Sequence, residues 1–133
     1  MTNAGAKGNK KGVLIIGHGS RSSEANDAVI ALAERLKVLP ETGLLGAAFL
    51  ELAKPSIPEG INILAAKGAT EIAVYPFFLA MGVHIKRDVP RIIEESVAML
   101  GREIPYKIME PLGLHPGIFD IITHTLLEEL ADE

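Results

Sequence analysis

The stretch V-Y-P-F-F-L-A-M-G-V-H-I-K-R-D-V-P, residues Val74–Pro90, is the most informative part of this chain. An apolar strand ending at Tyr75 meets Pro76, which has no backbone N–H and is not expected to continue a central strand. Residues 77–83 are therefore predicted to form a loop, although loops normally face water. An apolar loop is expected where it lines an apolar cavity that holds a few polar groups. His84 is the polar group of this segment that we predict to be functional.

The composition limits the function classes that remain open. The 133 residues are 48% hydrophobic and 23% charged, which is typical of one soluble globular domain. The net charge of −4 argues against a nucleic-acid partner, which usually requires a basic face. Because the chain has no cysteine, a metal would have to use histidine, carboxylate or carbonyl ligands.

The termini and apolar runs predict a cytoplasmic protein without a membrane span. No apolar run approaches the ~18 residues that a spanning helix requires. Residues 1–11 lack the apolar core of a signal peptide and are predicted to be a disordered tail, with residues 12–133 forming one domain.

Four short apolar runs alternate with helical patterns, which predicts a four-stranded parallel sheet flanked by helices, an α/β fold. The predicted strands are Val13–Ile16, Leu44–Leu50, Ile72–Tyr75 and Tyr106–Met109. The predicted helix starts are Ser20 or Ser22, the capping box Ser56–Glu59, Asp88 with Pro90, and His115 with Pro116. In the last helix, the apolar spacing predicts that Ile118, Ile121, Ile122 and Leu126 face inward.

Polar residues follow each predicted strand. His18 comes after the first strand, Glu51 after the second, His84 after the third and His115 after the fourth. Ligands of such sheets bind beyond the carboxyl ends of the strands, so these residues are expected at the edge where a site belongs.

Taken singly, each of these residues has an ordinary structural interpretation. His18 lies in Gly17-His18-Gly19, which is also typical of a tight strand-to-helix turn. For His84, a role as a ligand and a role in packing are both open. Glu51 is favoured as functional only by its position. His115 is interpreted as structural and His124 as a surface residue.

Four blocks together resemble the small chelatases of the CbiX type in the class II chelatase family. The blocks, in family order, are G-H-G-S-R-x-x-x-A-N at Gly17–Asn26, A-F-L-E-L-A-K-P-S-I-P-E-G at Ala48–Gly60, the stretch at Val74–Pro90, and P-L-G-L-H-P at Pro111–Pro116. Val89 stands where the family pattern usually has isoleucine, and no histidine-rich insert is present. The resemblance covers nearly all of the chain from Val13 onward.

The resemblance implies a sirohydrochlorin cobaltochelatase, which inserts Co²⁺ into sirohydrochlorin without ATP or another nucleotide, in anaerobic cobalamin synthesis. It implies that His18 is a metal ligand and the proton acceptor, and that His84 is the second ligand. The segment that contacts the tetrapyrrole would be Leu79, Ala80, Met81, Gly82, Val83 and His84, with Lys54 as a further contact. Since longer relatives contain two such domains, this chain resembles half of that architecture, and a homodimer is expected to enclose the substrate.

Elementary chemistry agrees with these roles but leaves alternatives open. A neutral imidazole can both bind a divalent metal and accept a pyrrole proton. Imidazole suits Co²⁺, Ni²⁺ and Fe²⁺ alike, so a nickel chelatase for the nickel coenzyme of methanogens and an iron chelatase for sirohaem both remain open. A non-catalytic tetrapyrrole or metal carrier would need the cavity but no base at His18.

Overall fold

The computed structural model describes residues 9–131, which form four strands and four long helices. The strands are β1 (Lys11–Gly17), β2 (Leu44–Phe49), β3 (Glu71–Pro76) and β4 (Tyr106–Ile108). The helices are α1 (Ser23–Leu36), α2 (Ile57–Ala66), α3 (Val83–Ala98) and α4 (Gly117–Ala131). Short 3₁₀ turns lie at Pro40–Thr42 and Leu112–Leu114.

The four strands form one parallel sheet in the order β2-β1-β3-β4. In the register of the two central strands, Leu14 of β1 pairs with Val74 of β3. This arrangement confirms the predicted fold class, a single small α/β domain. All four strands run the same way, so the turns that follow them lie at one edge of the sheet.

Both faces of the sheet carry apolar side chains, but they are covered differently. Alternate residues such as Leu14 and Val74 pack against α2 and α3 in the larger core cluster, where both are fully buried. The intervening residues, for example Ile15, pack against α1 in a smaller cluster. The α1 face therefore has one helix where the opposite face has two.

Pro76 belongs to β3, so the expectation that the central strand stops before it is wrong. Pro76 pairs with Ile16, and the next residue, Phe77, donates its N–H to the Ile16 carbonyl at 2.8 Å. Because backbone groups alternate in direction along a strand, the nitrogen of Pro76 faces β4, as does the carbonyl of Val74. That carbonyl accepts the N–H of Met109, the residue after β4, so the pairing of β3 with β4 ends before Pro76.

Helix α3 begins at Val83, five residues before the predicted start at Asp88, and Pro90 lies inside it. Gly82 is its N-cap, and its carbonyl accepts the N–H of Lys86 at 2.9 Å. A proline inside a helix removes one backbone bond and costs about 3 kcal/mol. Complete burial of Val89 and Ile93 on either side of Pro90 compensates for this loss.

Helix α4 does not face inward as predicted, because none of its residues is buried. Ile121, Ile122 and Leu126 are 62%, 52% and 53% exposed, and only Ile118 of the four predicted core residues is partly covered. The apolar pattern was correctly identified as helical, but spacing cannot specify which surface covers it.

The first described residues adjoin the predicted tail boundary at residues 11 and 12. Lys11 is the first residue of β1, and the backbone of Lys10 is bonded to the hydroxyl of Thr70 at 2.9 Å. Residues 1–8 of the predicted tail lie outside the described part of the chain. Within residues 9–131, no helix is long and apolar enough to cross a membrane.

Candidate functional site

The turns after β1 and β2 are joined by backbone hydrogen bonds at the carboxyl edge of the sheet. The N–H of Leu50 donates to the carbonyl of Gly17 at 3.0 Å, and the N–H of Glu51 donates to that of His18 at 3.2 Å. The pairing of β1 with β2 thus continues beyond the strands. As a result, His18 and Glu51 have a fixed relative position.

The two side chains meet above this backbone. Nδ1 of His18 lies 3.8 Å from a carboxylate oxygen of Glu51, and each side chain is about half exposed. The imidazole also lies edge-on to the ring of Phe78, with centroids 6.3 Å apart. An accessible imidazole beside a carboxylate and an aromatic ring can accept a proton and is oriented by its neighbours.

Gly19 is required for this arrangement. It has a φ of 95°, a left-handed conformation that side-chain-bearing residues rarely adopt. A Cβ atom at this position would overlap the carbonyl oxygen of Glu51. The turn is closed from the other side by Asn26, whose side-chain amide accepts from the N–H of Ser20 at 3.0 Å and donates to its carbonyl at 2.7 Å.

The loop after β2 presents one apolar and one cationic side chain. Leu52 has a positive φ of 64° and is 57% exposed. Lys54, the predicted substrate contact, is exposed and lies 3.6 Å from Glu59. The Ser56 backbone N–H bonded to Glu59 and the charge of Lys54 together lower the pKa of the Glu59 carboxyl.

The predicted tetrapyrrole segment Leu79–His84 is mostly exposed, and it directly follows the buried Phe78. Phe78 is buried and Met81 packs against the core, whereas Leu79 and Val83 are 73% and 80% exposed. The exposed large apolar residues of this edge, from three different loops, are Leu52, Leu79, Val83 and Leu114. These side chains could cover one face of a flat apolar ligand.

His84 lies on the exposed first turn of α3 rather than in a loop. Its Nδ1 is 3.0 Å from a guanidinium nitrogen of Arg87, one helical turn later. Because the guanidinium can only donate, Nδ1 is the acceptor in this contact. Arg87 also lies 3.7 Å from Asp88, so its charge has a second partner.

The turn after β4 contacts the chain at the start of the predicted tetrapyrrole segment, near Phe78 and Leu79. Gly113 donates its N–H to the carbonyl of Phe78 at 3.0 Å, and a Cβ atom on Gly113 would overlap the carbonyl of Leu79. His115 accepts the N–H of Gly117 at 2.8 Å through Nδ1, which agrees with its structural interpretation. His124 lies on the surface of α4, 3.4 Å from Glu128.

The structure brings His18 and Glu51 together but does not add His84 to them. Among the described residues, no group of three histidine or carboxylate side chains could hold a metal ion.

The sequence model of the CbiX family matches residues 12–129. This range contains every residue of the edge just described. The chain belongs to the CbiX family. The resemblance identified from the four sequence blocks is thus confirmed. A CbiX relative of Saccharolobus solfataricus, named sirohydrochlorin cobaltochelatase, is 37% identical over 122 residues, which are 88% of this chain and 94% of the relative.

Two solved structures share the CbiX fold of this chain. The cobalamin (vitamin B12) biosynthesis CbiX protein of Marinobacter aquaeolei has a TM-score of 0.78 and 29% identity, over 92% of this chain and 99% of that one. SirB of Bacillus subtilis, a sirohydrochlorin chelatase in complex with cobalt, has a TM-score of 0.79 and 29% identity. The match covers 90% of this chain but only 50% of SirB, and SirB has also been solved with Fe³⁺.

Sequence reasoning missed three residues that shape this edge: Asn26, Phe78 and Gly113. Asn26 stands within the first family block, and its spacing of six residues from Ser20 at a helix start was an available signal. Phe78 and Gly113 had no such signal, because their roles depend on contacts between distant segments.

Proposed function

We propose that this chain is a sirohydrochlorin cobaltochelatase, which inserts Co²⁺ into sirohydrochlorin without ATP during anaerobic cobalamin synthesis in the cytoplasm. The observation that carries the proposal is the accessible His18, fixed beside Glu51 and Phe78 in a chain that belongs to the CbiX family. The name of the Saccharolobus relative and the cobalt complex of SirB support the choice of substrate and metal.

The reaction requires that two pyrrole N–H protons leave as the metal enters. Co²⁺ exchanges its water ligands for the four ring nitrogens, and the product carries no proton on them. His18 accepts each proton in turn through its imidazole and releases it to solvent, with the carboxylate of Glu51 stabilising the imidazolium between the two steps. The balance is one Co²⁺ bound and two protons released, so no nucleotide is needed.

His18 and His84 are proposed to bind the metal on its way into the ring. Imidazole nitrogen is a good ligand for Co²⁺. In the described contacts, Arg87 occupies Nδ1 of His84, so it must withdraw before that nitrogen can bind a cation. The carboxylates at the rim of sirohydrochlorin offer the guanidinium an alternative partner, which links substrate binding to the release of His84.

The macrocycle is proposed to lie against the segment Leu79–His84. The exposed side chains of Leu79 and Val83 provide apolar area for its flat face, with Leu52 from the neighbouring loop. Lys54 is exposed and can reach a rim carboxylate. Since SirB is about twice as long as this chain, two copies of the domain are proposed to enclose the substrate as a homodimer.

The test is anaerobic metallation of sirohydrochlorin, followed by its absorbance change, with the wild-type chain and with His18→Ala and His84→Ala. We expect a rate above the uncatalysed background that falls ~100-fold or more in His18→Ala, because positioned proton transfer contributes that much. Parallel reactions with Ni²⁺ and Fe²⁺ compare the metals, since SirB has been solved with both cobalt and Fe³⁺. Tight tetrapyrrole binding without acceleration would make the chain a carrier and refute the proposal.

A further inference from the structure

Leu52, in the loop after β2, is the one non-glycine residue among residues 9–131 that has a positive φ. Its φ is 64°, whereas the other residues with a positive φ in this range are the glycines Gly19, Gly43, Gly68 and Gly101. In the left-handed conformation the Cβ atom crowds the backbone, so glycine and, less often, asparagine are expected there. A leucine is strained at such a position, and strain of this kind is concentrated at active sites and ligand contacts.

Backbone hydrogen bonds on both sides fix the conformation of Leu52. The N–H of Phe49 donates to the carbonyl of Pro55 at 2.8 Å and closes the loop across its base. Directly before Leu52, the N–H of Glu51 donates to the carbonyl of His18 at 3.2 Å. With both ends of a short loop bonded in this way, the residue between them cannot relax its φ without breaking one of these bonds.

The neighbours of Leu52 are also anchored in the core. Leu50 packs against the larger core cluster, and Ala53 packs against the smaller one on the opposite face of the sheet. The chain therefore crosses the edge of the sheet between these two residues. The side chain of Leu52 packs against neither cluster and is 57% exposed, so packing within the described part of the chain does not explain a leucine here.

The exposed side chain of Leu52 lies at the candidate site. It follows Glu51, whose carboxylate lies 3.8 Å from Nδ1 of His18. The loop rests closely on the His18 turn, because a Cβ atom on Gly19 would overlap the carbonyl oxygen of Glu51. The position of Leu52 relative to the imidazole is therefore fixed by the backbone. A rigidly held apolar side chain loses little conformational freedom when a ligand covers it.

We propose that Leu52 is a substrate-contacting residue that sets the position of the macrocycle relative to His18, and that its backbone strain is retained for this contact. The proposal rests on the proposed function, because it takes sirohydrochlorin as the ligand. The flat face of the ring would lie on the Leu52 side chain, which the loop presents in one orientation. Glycine or asparagine at this position would relax the backbone but remove the apolar contact. Stability is thus lower at this residue than it could be, and affinity for the substrate is higher.

Three substitutions separate the apolar contact from the strain. Leu52→Ala removes most of the apolar area but leaves a Cβ atom in the left-handed conformation. Leu52→Asn also removes the area, but asparagine tolerates this conformation. Leu52→Met keeps both the apolar area and the strain. Leu39→Asn is the control, since Leu39 is a 45% exposed leucine with an ordinary φ of −84° before the other end of β2.

Binding of metal-free sirohydrochlorin, followed by an absorbance titration, measures the contact. We expect the dissociation constant to rise ~10-fold in Leu52→Ala and in Leu52→Asn, the loss that follows when about half of a leucine side chain is no longer withdrawn from water. Leu52→Met should bind as tightly as the wild type. In metallation, the first two variants should raise KM with little change in kcat, because the His18 turn is intact. Leu39→Asn should leave binding, KM and kcat unchanged.

Thermal unfolding of the same variants measures the strain. We expect the Tm of Leu52→Asn to lie a few degrees above that of the wild type, because the left-handed conformation no longer opposes folding. Leu52→Met and Leu39→Asn should show no such gain.

Two results would overturn the proposal. Wild-type affinity for sirohydrochlorin in Leu52→Ala would remove the contact, and a Leu52→Asn variant that melts no higher than the wild type would remove the strain. Failure of the proposed function gives a different result, since the wild-type chain would then neither bind nor metallate sirohydrochlorin, and both proposals would be wrong. If only the inference about Leu52 is wrong, the wild type and all three Leu52 variants metallate with the same KM.

Discussion

The two histidines of the candidate site are held in opposite ways. His18 follows a central strand, and the backbone on both sides of it is tied to neighbouring segments, with Gly19 against Glu51 and Asn26 closing the turn. His84 lies on an exposed first helical turn, and its described side-chain contact is with Arg87. The first histidine is pre-organised and the second can move. The proposed roles would use both properties, because proton transfer requires fixed geometry while a metal must be bound and then released.

The largest effect is expected when a methyl group is added to the turn that holds His18. Gly19→Ala is expected to lower the metallation rate ~100-fold, because the new Cβ would push Glu51 and His18 apart and small displacements have effects of this size. Gly46→Ala, in the middle of β2, is the control, since its added Cβ would have no atom within 4 Å. Its metallation rate should be nearly unchanged. Equal rate losses in the two variants would show that the turn at Gly19 does not hold His18 and Glu51 in place.

A smaller effect is expected when only the charge beside His18 is removed. Glu51→Gln keeps the size of the side chain but cannot stabilise an imidazolium 3.8 Å away. We expect kcat to fall ~10-fold with little change in KM for sirohydrochlorin, within the 10–100-fold range typical of residues that orient a ligand. Glu95→Gln, on the outer face of α3, should leave both constants unchanged. A Glu51→Gln variant with wild-type kcat would remove Glu51 from the mechanism.

The mobility attributed to His84 can be tested at Arg87. Arg87→Ala frees Nδ1 of His84 and removes a positive charge beside it, so Co²⁺ should bind a few-fold more tightly in the absence of tetrapyrrole. The KM for sirohydrochlorin should rise in the same variant, because a partner for its carboxylates is lost. Titration calorimetry measures the first effect and steady-state kinetics the second. Arg91→Ala is the control, since Arg91 contacts Asp88 and Glu95 instead. Unchanged Co²⁺ affinity in Arg87→Ala would show that the contact does not restrain His84.

The fold and the edge that carries the site could be predicted because they depend on local signals. Apolar runs bounded by glycine or proline identified all four strands, and parallel strands place the residues that follow them at one edge. This reasoning brought His18 and Glu51 together correctly, and the continued β1–β2 pairing explains why.

The parts that could not be predicted depend on where other segments end. Pro76 remains in β3 because β4 has already left the sheet beside it, which no local pattern encodes. The early start of α3 makes His84 and Arg87 neighbours on one helical face, and the partly buried Ile85 in its first turn packs against the core. The exposure of α4 likewise depends on which surface is available to cover its apolar residues, as Ile122 and Leu126 illustrate.

The smallest expected effect concerns the loop on the His18 side, where Glu59 caps α2 and faces Lys54. The backbone N–H of Ser56 and the charge of Lys54 lower the pKa of Glu59 in the folded chain, so its carboxylate contributes stability above its ordinary pKa. This contribution is lost as the pH falls through the lowered value. Glu59→Gln should therefore melt slightly below the wild type at pH 7, and the difference in Tm should vanish in acid. The metallation rate should not change, since Lys54 remains exposed and able to bind a substrate carboxylate. A Tm difference that persists or grows at low pH would show that the side chain stabilises α2 by its shape and not by its charge.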